Sequence, residues 1–391
     1  MTEQLRIPGP TPLPERVVRA MARPMIDHRG AAFAAMHKEI SAGVREVFGT
    51  ASADLLILSS SGTGSMESAV ANLVSPGDKV VVCSCGVFGD RFADINTAFG
   101  ADVVKLAVDW GQPVEPRPLA DLLAANPDAG IVFLTHNETS TGVTNQLAAL
   151  AKAARDAGRL VVVDAISSAS SMPLEMDAWG LDVVLSGSQK GWMAPPGIAF
   201  AAVAPRAWEY VERSRTPRFY FDWKSHRTWA EKGFTPSTPA VSTLFAVQEG
   251  VRILKEEGLE AAYERHRRIA DATAAGLQAA GLTLLAREGY RSATITAAVV
   301  PDGIAVEDLR MLLSSHYGVV IAGGRGQAKI SERMVRVGHL GAVTLGDVVQ
   351  VLWAIEQALE ELDHAPADGR TLAAAQTVLA GASEKVGSTL S

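Results

Sequence analysis

Short apolar runs that alternate with helical patterns constrain the fold of this 391-residue chain more than any other feature of its sequence. Runs that are apolar on both faces, with crossover helices between some of them, predict a mostly parallel sheet covered by helices. The predicted strands are residues 79–83, 101–108, 131–135, 160–163, 183–186 and 198–203, and intervening helices are predicted over 119–125 and 147–157.

Other patterns flank this α/β region. A helix is predicted from Met36 to Val47, ending at Gly49, and residues 211–242 are predicted to form long ordered loops. A long helical pattern then leads into a smaller α/β unit, with strands near 292–300 and 334–337 and helices near 306–315 and 345–362. We therefore predict an N-terminal arm (1–20), a large domain (21–250), a small C-terminal domain (251–365) and a C-terminal tail (366–391), because 391 residues exceed one ordinary core.

Composition excludes several classes of function. The net charge is −7, from 36 basic and 43 acidic residues, and no basic block predicts a nucleic-acid or membrane partner. The only cysteines, Cys83 and Cys85, are too close for a favourable disulfide, and no Cys/His cluster predicts a metal site. Residues 1–6 lack the apolar core of a signal peptide and no apolar run could span a bilayer, so we expect a cytoplasmic protein.

A Ser/Gly-rich segment, residues 61–65, lies between an apolar run and a helix. Glycines let the backbone approach an anion, and a helix N-terminus presents unpaired N–H groups to it. The segment is not a P-loop, because no lysine follows, nor a dinucleotide fingerprint, because Glu67 stands where the third glycine belongs. A turn that only caps a helix explains the pattern equally well.

Two charged residues follow predicted strands. Asp164 ends the run 160–163, where open parallel sheets bind ligands, although an isolated Asp is more often a helix cap or a surface carboxylate. Lys190 follows an apolar strand and precedes a Pro-Pro-Gly turn, so it is either a buried lysine suited to Schiff-base chemistry or a salt-bridged structural one. Together with the 61–65 turn they supply what pyridoxal 5′-phosphate (PLP) needs: an anion cradle, a carboxylate for its ring nitrogen and an amine.

The segments that carry these residues resemble the class V (fold type I) PLP-dependent aminotransferases, most closely the alanine/serine–glyoxylate (serine–pyruvate) group. The most specific matching segments are 186–190 and 194–197, supported by 136–142 and 163–165, and the resemblance runs from 8–12 to 336–341. It implies the fold of that class: a large domain built on a mostly parallel, seven-stranded sheet between helices, and a smaller C-terminal α/β domain.

The resemblance also implies roles for individual residues. Lys190 would carry PLP as a Schiff base and move the proton during catalysis, Asp164 would pair with the pyridinium nitrogen, and Arg336 would bind the substrate α-carboxylate. The remaining implied cofactor ligands are Thr139 on the ring hydroxyl, Phe88 stacked on the ring, Thr63, Gly64, Ser65 and Gln189 on the phosphate, and Thr238 on the phosphate from the neighbouring subunit of a homodimer. This chain departs from the family at two of these positions: Phe88 stands where Trp is frequent, and Ser65 where His is common.

The implied activity is a ping-pong transamination between alanine or serine and glyoxylate or pyruvate. The aromatic loop 218–223 suggests small substrates, bulkier amines remain an alternative, and His28 and Arg29 are placed near the entrance. A desulfurase of the same fold would need a cysteine late in the chain, and none follows Cys85. The set of Lys190, Asp164 and Arg336 argues against a non-enzymatic scaffold.

Overall fold

The computed structural model describes residues 3–326 and 328–387, which form fourteen strands, fourteen α-helices and one 3-10 helix. The strands are β1 Gln4–Arg6, β2 Asp54–Leu58, β3 Lys79–Ser84, β4 Asp102–Ala107, β5 Ile131–Thr135, β6 Asn137–Glu138, β7 Val143–Thr144, β8 Leu160–Asp164, β9 Val183–Gly187, β10 Ala199–Val203, β11 Thr283–Leu284, β12 Ile295–Val299, β13 Val319–Gly323 and β14 Met334–Gly338. The helices are α1 Glu15–Met21, α2 Ala31–Phe48, α3 Gly62–Leu73, α4 Val87–Ala98, α5 Pro116–Ala125, α6 Leu147–Asp156, α7 Met176–Trp179, α8 Pro205–Arg213, α9 Trp223–Ala230, α10 Val241–Glu257, α11 Leu259–Ala279, α12 Val306–Ser315, α13 Leu345–Glu361 and α14 Arg370–Gly387, and the 3-10 helix is Lys329–Arg333.

The larger sheet has seven strands in the order β2-β10-β9-β8-β5-β3-β4. Strands β4, β3, β5, β8 and β9 pair in parallel, and only β10 runs antiparallel to its neighbours β9 and β2. The predicted mostly parallel, seven-stranded sheet is therefore confirmed. Its register pairs Thr135 with Asp164 and Asp164 with Leu185, so the carboxyl ends of β5, β8 and β9 lie side by side.

Helices cover both faces of this sheet, as the doubly apolar strands require. Along β8, Val161 and Val163 belong to one core cluster with residues of α2, α6 and α10, while Leu160 and Val162 belong to another with residues of α3 and α8. Successive side chains of a strand point to opposite faces, so one short apolar run supports two cores.

The smaller sheet has five strands in the order β1-β13-β14-β12-β11. Its core is shared with α11, α12 and α13. The predicted arm 1–20 contributes β1, which pairs in parallel with β13. Within the predicted tail 366–391, α14 packs against α11, and residues 388–391 lie outside the described part of the chain. The domain boundaries themselves remain a prediction.

Two local predictions were wrong. The long helical pattern after Thr243 is divided into α10 and α11 at Gly258, whose φ of 83° lies in the left-handed region that interrupts a helix. The segment 211–242 is not all loop, because it contains α9 and the end of α8. Helix α9 begins where the Asp222 carboxylate accepts a hydrogen bond from Lys224 N at 3.3 Å, and it buries Trp223. No helix in the described ranges is both long and apolar enough to cross a membrane.

Candidate active site

The turn that begins α3 abuts the carboxyl ends of β8 and β9. A Cβ atom built on Gly62 would lie 2.7 Å from Ile166 Cδ1, two residues beyond β8, and one built on Gly187 would lie 3.4 Å from Gly62 Cα. The three segments approach this closely because glycines occupy both contact points. The structure thus brings together the three features predicted from the sequence: the Ser/Gly turn, Asp164 and the segment carrying Lys190.

Lys190 is buried beneath the N-terminal segment, with 8% of its surface exposed. Its Nζ donates a hydrogen bond to Pro8 O, and Thr11 Oγ1 donates to Lys190 O at 3.2 Å. A Cβ on Gly9 would lie 2.7 Å from Nζ, so the N-terminal backbone passes directly over the amine. Burial lowers the pKa of Lys190 to about 8, since a desolvated amine disfavours its charge.

Asp164 is a buried carboxylate without a counter-ion. It is 4% exposed, and no Lys or Arg nitrogen lies within 4.0 Å of it in the described ranges, where its hydrogen bond comes from Ile166 N at 2.8 Å. Burial raises its pKa to about 7, against the opposing influence of Lys190 and Arg91. A buried carboxylate in this state favours a positively charged partner such as a protonated ring nitrogen.

The members of the Ser/Gly turn differ in what they offer a ligand. Ser61 caps α3 by accepting a hydrogen bond from Gly64 N at 3.2 Å. Ser65 is fully buried, and its hydroxyl donates to Gly62 O at 2.7 Å, so it belongs to the interior of the turn. Thr63 and Gly64 are partly exposed, and the N–H groups of the first helical turn have no intrahelical acceptor.

Gln189 places an unpaired amide beside this turn. Its Oε1 is buried and has no hydrogen-bond partner among the described residues, and a Cβ on Gly187 would lie 3.0 Å from it. The orphaned oxygen is costly unless a donor pairs with it, whereas the Nε2 end of the same amide is the end that could donate to an anion. The turn and Gln189 together fit a phosphate group.

Phe88 lies at the start of α4, and two arginines lie near its ring. The guanidinium carbon of Arg91 is 4.8 Å from the ring centroid and that of Arg325 is 5.7 Å away. Arg91 Nη1 also donates to Thr63 Oγ1 at 2.9 Å. Neither arginine was predicted from the sequence. Arg91 follows Phe88 by three residues, a spacing that puts both on one helix face and could have revealed it.

Glu138 holds Phe88 in place and was also missed. Its fully buried carboxylate accepts hydrogen bonds from Phe88 N at 3.0 Å and Gly89 N at 3.1 Å, and from Ser140 N at 3.0 Å and Ser140 Oγ at 2.6 Å. Burial raises its pKa, although these hydrogen bonds oppose the shift. Glu138 thereby supplies acceptors for N–H groups at the start of α4, which would otherwise be unpaired. Its position inside the matching segment 136–142 was the available signal.

Arg336 reaches from the smaller sheet to the β5–β8 end of the larger one. It is 7% exposed, donating from Nε to Gly323 O at 2.8 Å and from Nη1 to Thr139 O at 3.2 Å. Thr139 Oγ1 in turn donates to Ser167 Oγ at 2.9 Å. Burial, reinforced by Arg325, lowers the pKa of Arg336 to about 10, and no carboxylate of the described residues pairs with it. A buried guanidinium with unused donors fits a carboxylate ligand.

Thr238 lies in the loop before α10. Its side chain is exposed, with Oγ1 3.4 Å from Nε2 of His28, which was predicted near the entrance. The aromatic loop 218–223 lies against the Ser/Gly turn, since Tyr220 Oη donates to Ser59 O at 3.3 Å and a Cβ on Gly64 would lie 3.4 Å from Phe221 Cζ.

No described group of three or more His, Cys, Asp or Glu residues is arranged to hold a metal ion.

Comparison with known proteins matches residues 5–352 to the family described as Aminotransferase class-V. A protein named soluble hydrogenase, small subunit, from Synechococcus sp. is 39% identical and covers 97% of this chain and 98% of its own. The L-aspartate–glyoxylate aminotransferase of Paracoccus denitrificans is 36% identical over 96% of each chain. The crystal structure of ureidoglycine–glyoxylate aminotransferase from Bacillus subtilis superposes with a TM-score of 0.90 at 29% identity, covering 97% of this chain and 98% of that one.

Proposed function

Because the chain belongs to the class V aminotransferases, we propose that it moves the amino group of a small amino acid, alanine or serine, to glyoxylate or pyruvate in a ping-pong cycle. The cofactor of this PLP-dependent transaminase is pyridoxal phosphate. The observation that carries the proposal is the convergence of Lys190, the unpaired Asp164 and the Ser/Gly turn at one sheet edge. No feature of this site supports carrying over the hydrogenase name.

The residues of the site fit PLP group by group. Bound PLP supplies an aldehyde carbon that a lysine amine can join and a protonated ring that withdraws electrons from the substrate Cα. Thr63, Gly64, Gln189 and the free N–H groups of α3 would hold its phosphate, with Ser65 shaping the turn from inside. The other contacts would be Asp164 at the ring nitrogen, Thr139 at the ring hydroxyl and Phe88 against the ring face.

Two groups of this chain would handle protons. The lowered pKa of Lys190, about 8, gives its amine a sizeable neutral fraction near neutral pH, so it can accept the proton that leaves the substrate Cα. Asp164 would keep a proton on the ring nitrogen, because an ionised carboxylate in a buried site strongly favours an adjacent cation.

Arg336 would bind the α-carboxylate of either substrate. A guanidinium has five N–H donors, and the carbonyl groups of Gly323 and Thr139 use one on Nε and one on Nη1. The remaining donors, on Nη1 and Nη2, suit a bidentate pair with a planar carboxylate. Such a pair fixes the substrate on one side of the site and so orients its Cα–H bond.

We propose further that the active unit is a cytoplasmic homodimer in which Thr238 of one subunit contacts the cofactor phosphate of the other. Thr238 is exposed in the single subunit, and the loop beside the Ser/Gly turn exposes 95% of Phe219, as expected of a surface that another chain covers. The free thiols of Cys83 and Cys85 suit a reducing compartment. Light scattering tests the dimer, and mixing subunits that carry Lys190→Ala with subunits that carry Thr238→Val tests the shared site.

A single-turnover experiment tests the activity. PLP-loaded protein mixed with L-alanine or L-serine, without an acceptor, should release one equivalent of 2-oxo acid per subunit and stop until glyoxylate is added. Lys190→Ala should release none, whereas Lys224→Ala, which removes an exposed lysine paired with Glu212, should behave as the wild type. Continuous release without an acceptor would indicate a lyase, and no release with any small amino acid would refute the proposal.

Asp164→Asn separates the proposed role of the carboxylate from a structural one. The variant should still bind PLP but turn over at least about 100-fold more slowly, because a neutral amide cannot hold the ring nitrogen protonated. Asp182→Asn is a matched control. Asp182 is also buried, but it precedes the amino end of β9, whereas Asp164 lies at the carboxyl end of β8. Equal losses in both variants would contradict the proposed role.

A further inference from the structure

Arg325 is a cation of the site for which the proposed mechanism provides no anion. It follows β13 and lies over Phe88, 5.7 Å from the ring centroid, and its charge acts on Lys190, Arg91 and Arg336. Its side chain is exposed, and no carboxylate in the described ranges lies within 4.0 Å of its guanidinium.

Two other arginines beside the smaller sheet are paired with acidic residues. Arg310 on α12 contacts Glu307 at 2.7 Å, and Arg333 on the 3-10 helix contacts Asp302 at 2.5 Å. Each therefore has an acidic partner at the surface. Arg325 differs from these two arginines in lying over Phe88 and in having no carboxylate within 4.0 Å among the described residues.

The other charged groups of the site already have a hydrogen-bond partner or a proposed ligand. Glu138 accepts four hydrogen bonds around the start of α4, and Asp164 would pair with the ring nitrogen. Arg91 donates to Thr63 in the phosphate turn, and Arg336 would bind the substrate α-carboxylate. An anionic group of the substrate itself would pair with the Arg325 guanidinium.

Arg325 and Arg336 lie on connected segments. Arg336 Nε donates to Gly323 O at 2.8 Å, and Gly323 precedes Arg325 by two residues. Arg336 also contacts Thr139 O, next to Glu138, whose carboxylate fixes the start of α4 where Phe88 lies. The two guanidinium groups also lie close enough for the charge of Arg325 to lower the pKa of Arg336. A ligand with two carboxylates could bridge them, because each guanidinium can bind one carboxylate bidentately.

We propose that Arg325 binds the side-chain carboxylate of a dicarboxylic substrate, so that aspartate and its 2-oxo diacid are preferred over neutral amino acids. The proposal rests on the transamination proposed above. In that reaction the amino group of aspartate and the electron pair of its Cα–H bond pass to the cofactor, and the Cα proton passes to Lys190. Water supplies the carbonyl oxygen of the released diacid, and the acceptor 2-oxo acid reverses these steps.

Substrate selectivity of four proteins tests the assignment: the wild type, Arg325→Met, Arg325→Lys and the control Arg333→Met. We expect Arg325→Met to lower kcat/KM for L-aspartate about 10- to 100-fold and to leave that for L-alanine within about twofold. Arg325→Lys should be intermediate, because an ammonium keeps the charge but loses the bidentate geometry. Arg333→Met removes the same charge from a paired surface arginine and should change neither value.

Ligand binding gives a second readout that does not depend on turnover. Succinate should bind the PLP-loaded wild type at least about tenfold more tightly than acetate, measured by calorimetry, and Arg325→Met should remove that advantage. Succinate binding no tighter than acetate would overturn the proposal. Equal losses for aspartate and alanine in Arg325→Met would also overturn it, since they would show that Arg325 only supports Phe88.

The two proposals fail in different ways. Single-turnover release from alanine or serine, combined with inert aspartate, would refute the role of Arg325 and leave the proposed transamination intact. No release from any amino acid, combined with tight Arg325-dependent succinate binding, would refute the transamination and leave the dicarboxylate site standing.

Discussion

The lowered pKa of Lys190 predicts how fast the cofactor-free protein captures PLP at each pH. Only the neutral amine attacks an aldehyde, and a fall of the pKa from 10.5 to about 8 raises the neutral fraction at pH 7 about 300-fold. The logarithm of the capture rate should rise with pH at a slope near one, then level off above about pH 8. Stopped-flow absorbance of PLP mixed with cofactor-free protein measures this profile, with a blocked free lysine, of pKa about 10.4, as the reference.

Two substitutions should move the inflection of this pH profile in opposite directions. The charge of Asp164 favours the protonated amine, so Asp164→Asn should move the inflection below 8; the charge of Arg336 disfavours it, so Arg336→Met should move the inflection above 8. Burial is the largest cause of the shift, hence both displacements should be smaller than the total fall from 10.5. A wild-type rate that keeps rising well above pH 9, or an upward displacement in Asp164→Asn, would refute the reasoning.

Three further predictions concern the backbone over Lys190, the start of α4 and the core of the larger sheet. Gly9→Ala should slow PLP capture, since its Cβ would lie 2.7 Å from Lys190 Nζ at a φ of 124°, whereas Gly158→Ala, at a φ of 79° with no atom within 4 Å, should not. Glu138→Gln should lower the unfolding free energy by about 1–3 kcal/mol in urea titrations, because an amide nitrogen replaces an acceptor of backbone N–H groups; an unchanged midpoint would contradict that role. Phe133→Ala should cost about 3–5 kcal/mol in the same assay through the cavity left in a fully buried position, and a loss below about 1 kcal/mol would contradict it.

The parallel sheet could be predicted because its strands carry their own signal. Strands β5, β8 and β9 are apolar on both faces, and a residue at the end of such a strand lies at the ligand-binding edge whatever its partners are. The position of Asp164 at this edge followed from its strand, whereas its role came from the family resemblance. Strand β1 could not be predicted in this way, since its partner β13 lies at the far end of the chain and three residues carry no periodicity.

The arginines of the site could not be predicted from the sequence either, because their roles depend on charges that the fold brings near them. Their sequence neighbours do not distinguish Arg325 from Arg333, which follows eight residues later. The structure separates them, because Arg333 meets Asp302 across a surface turn whereas Arg325 lies over Phe88. A charged side chain is available to a ligand when the fold gives it no internal partner, and only contacts between distant segments reveal this.

This site holds buried charges of both signs that do not pair with one another. Arg336 and Asp164 are both buried where the two sheets meet, yet they form no ion pair. Burial raises the pKa of Asp164 and lowers that of Arg336, so it favours the neutral form of each. Keeping them apart destabilises the empty protein, because each buried charge loses its hydration. A ligand that brings a cation to Asp164 and a carboxylate to Arg336 removes both penalties at once. The free energy so released favours binding, and a molecule that lacks either charge forgoes part of it. Selectivity for an α-carboxylate beside a protonated ring therefore follows from where the fold leaves charges unpaired.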